Sequence, residues 1–300
     1  MILTLSSRKR LEINLTSSFI QTALLFNSLI SNNATRLLEK PRGSKAPFLL
    51  KNKTGYDINI WATQDSTNYL NNSVNIKNNE EIPWRFDDLR TLREDVSASV
   101  HNSLGIQIDN NNKWDLISRI SVDREGEHTY ILKSKISKIL HRVVVDIKLQ
   151  DTFKVVTFRS SYLIENSTHL PIEIVIIGSN GKPIINSQKL VPGDKYSLPI
   201  EAAYDQRIKL RPNQGFEYNW SNESFYWQDL IKRPTRSITC RSLNHTEPLF
   251  RFQTCADFDN NDPLSHVYPK LTLRLRAPIE IENLLPFDIK YRWVKIKKMS

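Results

Sequence analysis

Cysteine is nearly absent from this chain of 300 residues, which holds only Cys240 and Cys255. Two thiols make neither a disulfide framework nor a zinc site. Glycine is scarce at 8 residues, and none falls in a phosphate-cradling loop or a Gly-x-Ser-x-Gly nucleophile elbow. The histidines His101, His128, His141, His169, His245 and His266 do not pair at metal-ligand spacing. The run Asp257-Phe258-Asp259-Asn260-Asn261-Asp262 opens like a calcium loop. That loop requires Gly at its sixth place and Glu at its twelfth, and Asp262 and Tyr268 stand there instead. It reads as a solvated polar turn. No catalytic constellation, cofactor or metal is expected.

Long apolar runs are missing as well. The nearest, Phe19 to Ile30, is interrupted by Gln21, Thr22, Asn27 and Ser28. It falls short of the roughly 18 residues that span a bilayer. Met1 to Glu12 carries Arg8-Lys9-Arg10 and no apolar segment, so no signal peptide is expected. Asn-x-Ser/Thr sequons occur at Asn14, Asn33, Asn52, Asn71, Asn166, Asn219, Asn222 and Asn244. In a chain this rich in Asn they read as coincidence, and the expected compartment is cytosolic and reducing.

What the chain does have is a repeat. Leu50-Lys51-Asn52-Lys53-Thr54-Gly55-Tyr56-Asp57-Ile58 returns as Ile164-Glu165-Asn166-Ser167-Thr168-His169-Leu170-Pro171-Ile172. It returns again as Ile281-Glu282-Asn283-Leu284-Leu285-Pro286-Phe287-Asp288-Ile289. Each copy has an apolar residue two before the Asn, a large apolar residue four after it and Ile six after it. Self-similarity at a fixed period marks an array of like units, and this period is too long for a helix pair. Trp114 and Trp227 follow their Asn residues at nearly equal distance and extend the register. So do the turns Asn78–Ile82 and Pro192–Tyr196.

Around the repeat the signal is β. Tyr56–Trp61, His128–Leu132, Val143–Leu149, Lys154–Phe158, Ile172–Ile177, Gln206–Leu210, Phe225–Trp227, Ser237–Cys240, Phe250–Phe252 and Leu271–Leu275 alternate or are rich in β-branched and aromatic residues. The stretches 72–79 and 109–113 are polar without period and read as mobile loops. Short helical turns fit 87–93 and 229–232. Thr16-Ser17-Ser18 offers helix caps before the apolar positions of 19–38. The expected fold is all-β: tandem β-sandwich modules with one N-terminal amphipathic helix. The expected division is a lead-in strand and helix at 1–46, β-modules at 47–161 and 162–278, and the start of a truncated third module at 279–300.

The net charge of +10 suits an acidic partner, or a solvated surface with surplus Lys. Lys133, Lys135, Lys138 and Arg142 form one denser spot, and Lys295, Lys297 and Lys298 form another. These are the candidate contacts to acidic phospholipids. No nucleic-acid motif accompanies the charge, and nucleic acid is not expected as a partner. For Asn52, Asn166 and Asn283 two readings stand. An Asn side chain carries two donors and an acceptor on a short arm, so it can tie a loop to a neighbouring strand. It can also contact a ligand.

Modules of this size, opening on Leu/Ile-x-Asn-x-x-x-aromatic-x-Ile, resemble the adaptor-binding domain of the vacuolar protein sorting-associated protein 13 family of bridge-like lipid-transfer proteins. The second copy departs at Leu170. The segment Ser6 to Phe19 is similar to the region that precedes the domain. The resemblance implies a row of six β-modules, each with one Asn, matched here by Asn52, Asn166 and Asn283. It implies a non-catalytic targeting role at membrane contact sites and in vacuolar protein sorting. The implied location is peripheral, on the cytosolic face of endosome, vacuole, mitochondrion or Golgi. Its implied partners are membrane-anchored adaptors carrying Pro-x-Pro motifs, which the family binds through its last modules. The alternative expectation is a basic β-module that binds acidic membrane phospholipids directly.

Overall fold

The computed structural model describes residues 47–63, 73–86, 102–109, 113–135, 139–151, 153–244, 248–265, 267–279, 281 and 283–290. All lie within one compact unit, Pro47–Ser300. The helix expected over 19–38, the helical turn at 87–93 and the loop at 110–112 lie outside the described residues, as do Lys138, Lys295, Lys297 and Lys298.

Nine strands make a first set: β1 Phe48–Lys53, β2 Asp57–Ala62, β3 Val74–Ile76, β4 Glu81–Trp84, β5 Ser103–Asp109, β6 Ile117–Ser121, β7 Gly126–Lys133, β8 Leu140–Gln150 and β9 Phe153–Ser160. They form two sheets, β4-β1-β9-β8-β7 and β3-β2-β5-β6. Alternation decides which face turns inward. Phe48, Leu50, Ile58 and Ile60 are buried, while Leu49, Lys51 and Asn59 between them are partly open. The inward residues of both sheets close one core with Val143, Val145, Val156 and Phe158.

The second set comprises β10 Tyr162–Asn166, β11 Ile172–Ile177, β12 Gln188–Leu190, β13 Lys195–Ser197, β14 Arg207–Pro212, β15 Thr235–Cys240, β16 Phe250–Phe258 and β17 Leu271–Arg276. Its larger sheet, β13-β10-β17-β16-β15, repeats the first set's order, and its smaller sheet, β12-β11-β14, repeats it without a strand at the place of β6, where only the isolated bridge of Phe225 to Ile208 stands. In each set the first strand pairs in parallel with the last, β1 with β9 and β10 with β17. The fold is therefore all-β, in sandwich-like units.

Some expectations change. Val74–Ile76 is a strand, not a mobile loop; it pairs with β2 across Ile58, Asn59 and Ile60. Its Ile76 is fully buried, and that one anchor outweighs the polar composition around it. Phe225–Trp227 is not a strand. Phe225 makes an isolated bridge to Ile208, and Trp227 opens a helix, Trp227–Lys232. Trp114 and Trp227 are consequently not counterparts. Trp114 bridges to Ser134 as Tyr218 bridges to Ser242. Residues 283–290 form no strand.

Candidate functional site

Asn52 is the last residue but one of β1 and is completely buried. Its Nδ2 donates to the carbonyls of Tyr56 at 2.8 Å and Ile76 at 3.0 Å. Its Oδ1 accepts from the Thr54 amide at 3.1 Å, and the Thr54 hydroxyl lies 2.7 Å away. Its backbone exchanges bonds with Glu80 and Asn79. Ile76 belongs to the smaller sheet and Asn52 to the larger, so this one amide holds the two layers together. Every polar group of the side chain is satisfied, which is what burial demands.

Asn166 repeats each bond. Nδ2 donates to Leu170 and Leu190, both at 2.9 Å. Oδ1 accepts from the Thr168 amide at 3.0 Å, with the Thr168 hydroxyl 2.7 Å away. The backbone partners are Asp194 and Gly193. The residue that returns the bond to the Asn carbonyl takes a left-handed conformation in both sets, Asn79 at φ 64° and Gly193 at φ 84°. The sequons at Asn52 and Asn166 thus have a structural reason: their Thr hydroxyls lie within hydrogen-bond distance of the Asn oxygen. Among the described residues Asn283 keeps only the local pair, to Phe287 O at 2.8 Å and from the Leu285 amide at 3.0 Å, and it is exposed.

The second feature is the seam between the sets. β9 ends at Ser160 and β10 begins at Tyr162, so one residue separates them. From the second set, Pro199 to Glu201 reaches the first, while Ala202, Ala203 and Tyr204 stay in the second core. Gly55, at φ 89°, lies against Pro199, where an added Cβ would come within 2.5 Å. Ile200 is fully buried in the first set's core and donates its amide to Thr54 O. In return Ile139 packs against the second core. Burying one Ile contributes about 1.5–3 kcal/mol. Glu201 accepts from the Tyr56 hydroxyl at 2.7 Å and is paired with Lys113. Burial acts to raise its pKa, but the Lys113 and Tyr56 hydrogen bonds outweigh it and hold the carboxyl below the ordinary value.

His141 lies between the rings of Trp114 at 5.8 Å and Tyr204 at 6.4 Å, and its Nδ1 is 3.2 Å from Ile200 O. Desolvation lowers its pKa against that carbonyl contact. Burial pushes the Tyr204 hydroxyl up to about 12. That hydroxyl contacts Ser161 Oγ at 2.5 Å.

The acidic run does turn at the exposed Asn260 and Asn261, but its carboxylates are paired. Asp262 pairs with Arg142 across the seam. Asp259 pairs with Lys270 at 2.9 Å, and Lys270 also reaches Glu127 on β7 at 2.6 Å. The sequence could not show the pairs made across the seam, since Asp262 and Arg142, and Lys270 and Glu127, lie more than a hundred residues apart.

Arg142 is therefore corrected as a lipid contact. It is 3% exposed, committed to Asp262, and donates to Tyr268 O at 2.6 Å. Lys133 and Lys135 are exposed near the end of β7. A groove of about 250 Å³ on the larger sheets is lined by Lys51, Lys53, Lys148, Arg159 and Lys195. Four of these already hold carboxylates: Glu81, Asp146, Glu127 and Glu165 respectively. Among the described residues no three His, Cys, Asp or Glu gather where they could hold a metal, and no helix is long and apolar enough to cross a membrane. Burial pushes the Cys240 thiol up to about 12, which keeps it protonated and unreactive.

Residues 88–300 match the family described as vacuolar-sorting associated protein 13, adaptor binding domain. Over 299 residues the chain is 33% identical to "Intermembrane lipid transfer protein VPS13" of Chaetomium thermophilum, covering 96% of this chain and 9% of that protein. It is 25% identical to "Intermembrane lipid transfer protein VPS13A" of Mus musculus over 82% of this chain and 8% of the relative. It is 22% identical to "Intermembrane lipid transfer protein VPS13D" of Homo sapiens over 76% of this chain and 6% of the relative. The chain thus spans less than a tenth of the relatives' length. With most of its length matched by that family, the chain belongs to the adaptor-binding domain family of vacuolar-sorting associated protein 13.

Proposed function

We propose that this chain is a non-catalytic segment of a lipid-transfer protein's targeting domain. Its two sets of strands, taken as modules at 47–161 and 162–278, form a stiff spacer between a lipid-conducting part and an adaptor-binding end. The observation that carries this reading is the seam. One connecting residue, Ile200 in the first core, Ile139 packed against the second, and the buried Arg142–Asp262 pair leave no hinge. Flexible domain pairs are joined by polar linkers and modest interfaces; this pair shares its cores.

The work of such a spacer is to hold a distant binding end at a fixed distance and angle from the rest of the protein. Adaptors bearing Pro-x-Pro motifs, on the cytosolic face of endosome, vacuole, mitochondrion or Golgi, are the partners of the whole domain. Extended Pro-rich peptides need a groove or sheet edge with pockets at set spacing. The family resemblance implies a groove in the last modules of the row. The internal pairing of the basic groove argues against a dedicated site for acidic headgroups in the described residues.

A fluorescent Pro-x-Pro peptide titrated against residues 1–300 is expected to show no saturable binding by anisotropy. Micromolar saturable binding would move the adaptor site into these modules and end the spacer reading.

A further inference from the structure

One segment of the second set turns its apolar residues outward. Every residue from Ser179 to Lys189, between β11 and β12, is exposed. Within it Ile184 and Ile185 are 49% and 38% exposed and follow the exposed Pro183. Single exposed apolar residues are ordinary, whereas a contiguous apolar patch rimmed by polar groups marks an interaction surface. The segment stands at the end of the second set that meets the first, where the neighbour is already in place. Ile185 there shares a cavity of about 180 Å³ with Lys53, Gly55, Asn78, Lys195 and Pro199.

The hairpin is held by its own bonds. The amides of Gly178, Gly181 and Ile184 donate to the carbonyls of Lys182, Gly178 and Ile176, each at 3.0 Å. Asn180 Oδ1 accepts from the Lys182 amide at 3.0 Å, and Gly181 closes the turn at φ 75°. The Ile184 side chain lies against Gly178, where an added Cβ would come within 3.3 Å of it. These backbone groups already have partners, so entry into a less polar layer does not strip them. The shape is set in advance, so little ordering is lost on contact.

Charge picks the kind of surface. Lys53, Lys182, Lys189 and Lys195 are exposed around the tip. The acids near them are engaged elsewhere. Glu173, opposite Lys189, is held by Arg211 at 2.7 Å, and Glu165 is shared at 3.4 Å between Lys195 and Arg274. Glu80 and Asp57 accept from the amides of Lys77 and Asn78. We propose that residues 182–189 form an interfacial loop for an anionic bilayer: Pro183, Ile184 and Ile185 enter the headgroup layer while the lysines meet its phosphates. Apolar insertion and summed surface charge need no headgroup pocket, so the internally paired groove is no obstacle. A bilayer also moulds itself to a convex tip, whereas a protein partner needs a matching hollow. The proposal goes beyond the spacer reading and does not depend on it: the flank of the two sets, at their seam, rests on the membrane.

The test uses residues 1–300 and vesicles of phosphatidylcholine and phosphatidylserine in equal parts. Ile184→Asp with Ile185→Asp should lower partitioning, measured by co-sedimentation, at least about tenfold. Lys182→Glu with Lys189→Glu should lower it severalfold, an effect that fades at high salt. Neither pair should move the melting temperature, since all four side chains are exposed. A dye on Ile185→Cys, in a Cys255→Ser background with Cys240 buried, should be quenched by brominated acyl chains. An aspartate pair that partitions like wild type overturns the proposal, as does a dye that bromine leaves bright. Equal partitioning onto pure phosphatidylcholine overturns the part played by charge. A dye shielded as protein concentration rises without vesicles assigns the tip to a second copy and overturns the lipid surface. The Pro-x-Pro peptide titration is independent, and neither of its results alters these outcomes.

Discussion

The outward face of the first set's smaller sheet is a ladder of amides. Asn59 faces Asn75 and Gln107 across the strands, and Asn75 Nδ2 donates to Asn59 Oδ1 at 2.8 Å. At the same register positions the second set holds Glu173, Lys189 and Arg211. Arg211 reaches Glu173 through Nε at 2.8 Å and Nη2 at 2.7 Å, and stacks over Trp220 at 4.3 Å. One step along, the Trp61 indole covers Gly105 so closely that an added Cβ would lie 2.2 Å from it. The second set has the smaller Val175 there, facing Lys209. Apart from β6, which the second set reduces to a single bridge, strand order and the Asn node are the same; faces and their charges are not. The frame is what must be kept to close a sandwich, because a one-residue slip would turn its core outward. The faces are free to specify neighbours.

The largest test of that division sets Arg142 against Arg251. They occupy one position, but only Arg142 is buried against an acid. Arg142→Met should destabilise the chain by about 3–5 kcal/mol, because Asp262 is left as a buried unpaired charge. Arg251→Met should change it by no more than about 0.5 kcal/mol, as an exposed substitution does. Urea melts of the two variants measure the difference. Similar losses would mean that the end of the second set is already part of a packed structure.

This position also marks what the sequence could and could not tell. The triplet of Asn52, Asn166 and Asn283 is visible in it, because the first four strands of each set keep a constant offset. Phe48 answers to Tyr162 and Pro83 to Ser197, each 114 residues apart. After that the connections differ in length. Trp114 answers to Tyr218, 104 residues on, and His141 to Phe250, 109 residues on. A fixed offset therefore pairs Trp114 with Trp227, which instead opens a helix and packs on Tyr204 at 5.6 Å. The seam was illegible for a different reason. Asp262 reads as a turn former in its local context, and only the fold brings it to Arg142. The strand β3 was missed because a single buried residue, Ile76, decides it.

Next in size comes the comparison of the three asparagines. Asn52→Ala and Asn166→Ala each remove the donor to two carbonyls and the acceptor of a buried amide, and only one of those carbonyls, Tyr56 O or Leu170 O, keeps a Thr hydroxyl. Each should cost about 2–4 kcal/mol, since an unsatisfied buried group costs about 1–3. Asn283→Ala removes two exposed bonds and should cost less than about 0.5 kcal/mol. Chemical denaturation of the three variants gives the ranking. If Asn283→Ala ranked with the others, the third copy would be folded into a node like the first two. If Asn52→Ala melted like wild type, the amide would not be what joins the layers.

The smallest effect separates the covered seam from the uncovered face by pH. His141 is buried and its pKa lies below the ordinary 6.5. Above that value both folded and unfolded chains hold it neutral, and it contributes no pH dependence. Below it the unfolded chain takes up the proton first, so stability falls with pH until the depressed folded value is reached. Tyr204 and Trp114 face the imidazole, and the nearby charges are Lys113, Glu201 and Asp205. Glu201 acts in a lower window: its folded pKa lies below the ordinary 4.5, so its contribution is lost only as pH falls through that lower value. A melting temperature that declines by a few degrees from pH 6.5 to 5 thus reports His141 and not Glu201. His141→Phe copies the residue that the second set carries at this place, Phe250. It should flatten the decline in that window while leaving the loss below pH 4.5 in place. An unchanged slope in the variant would show that the acid sensitivity lies elsewhere than in the seam.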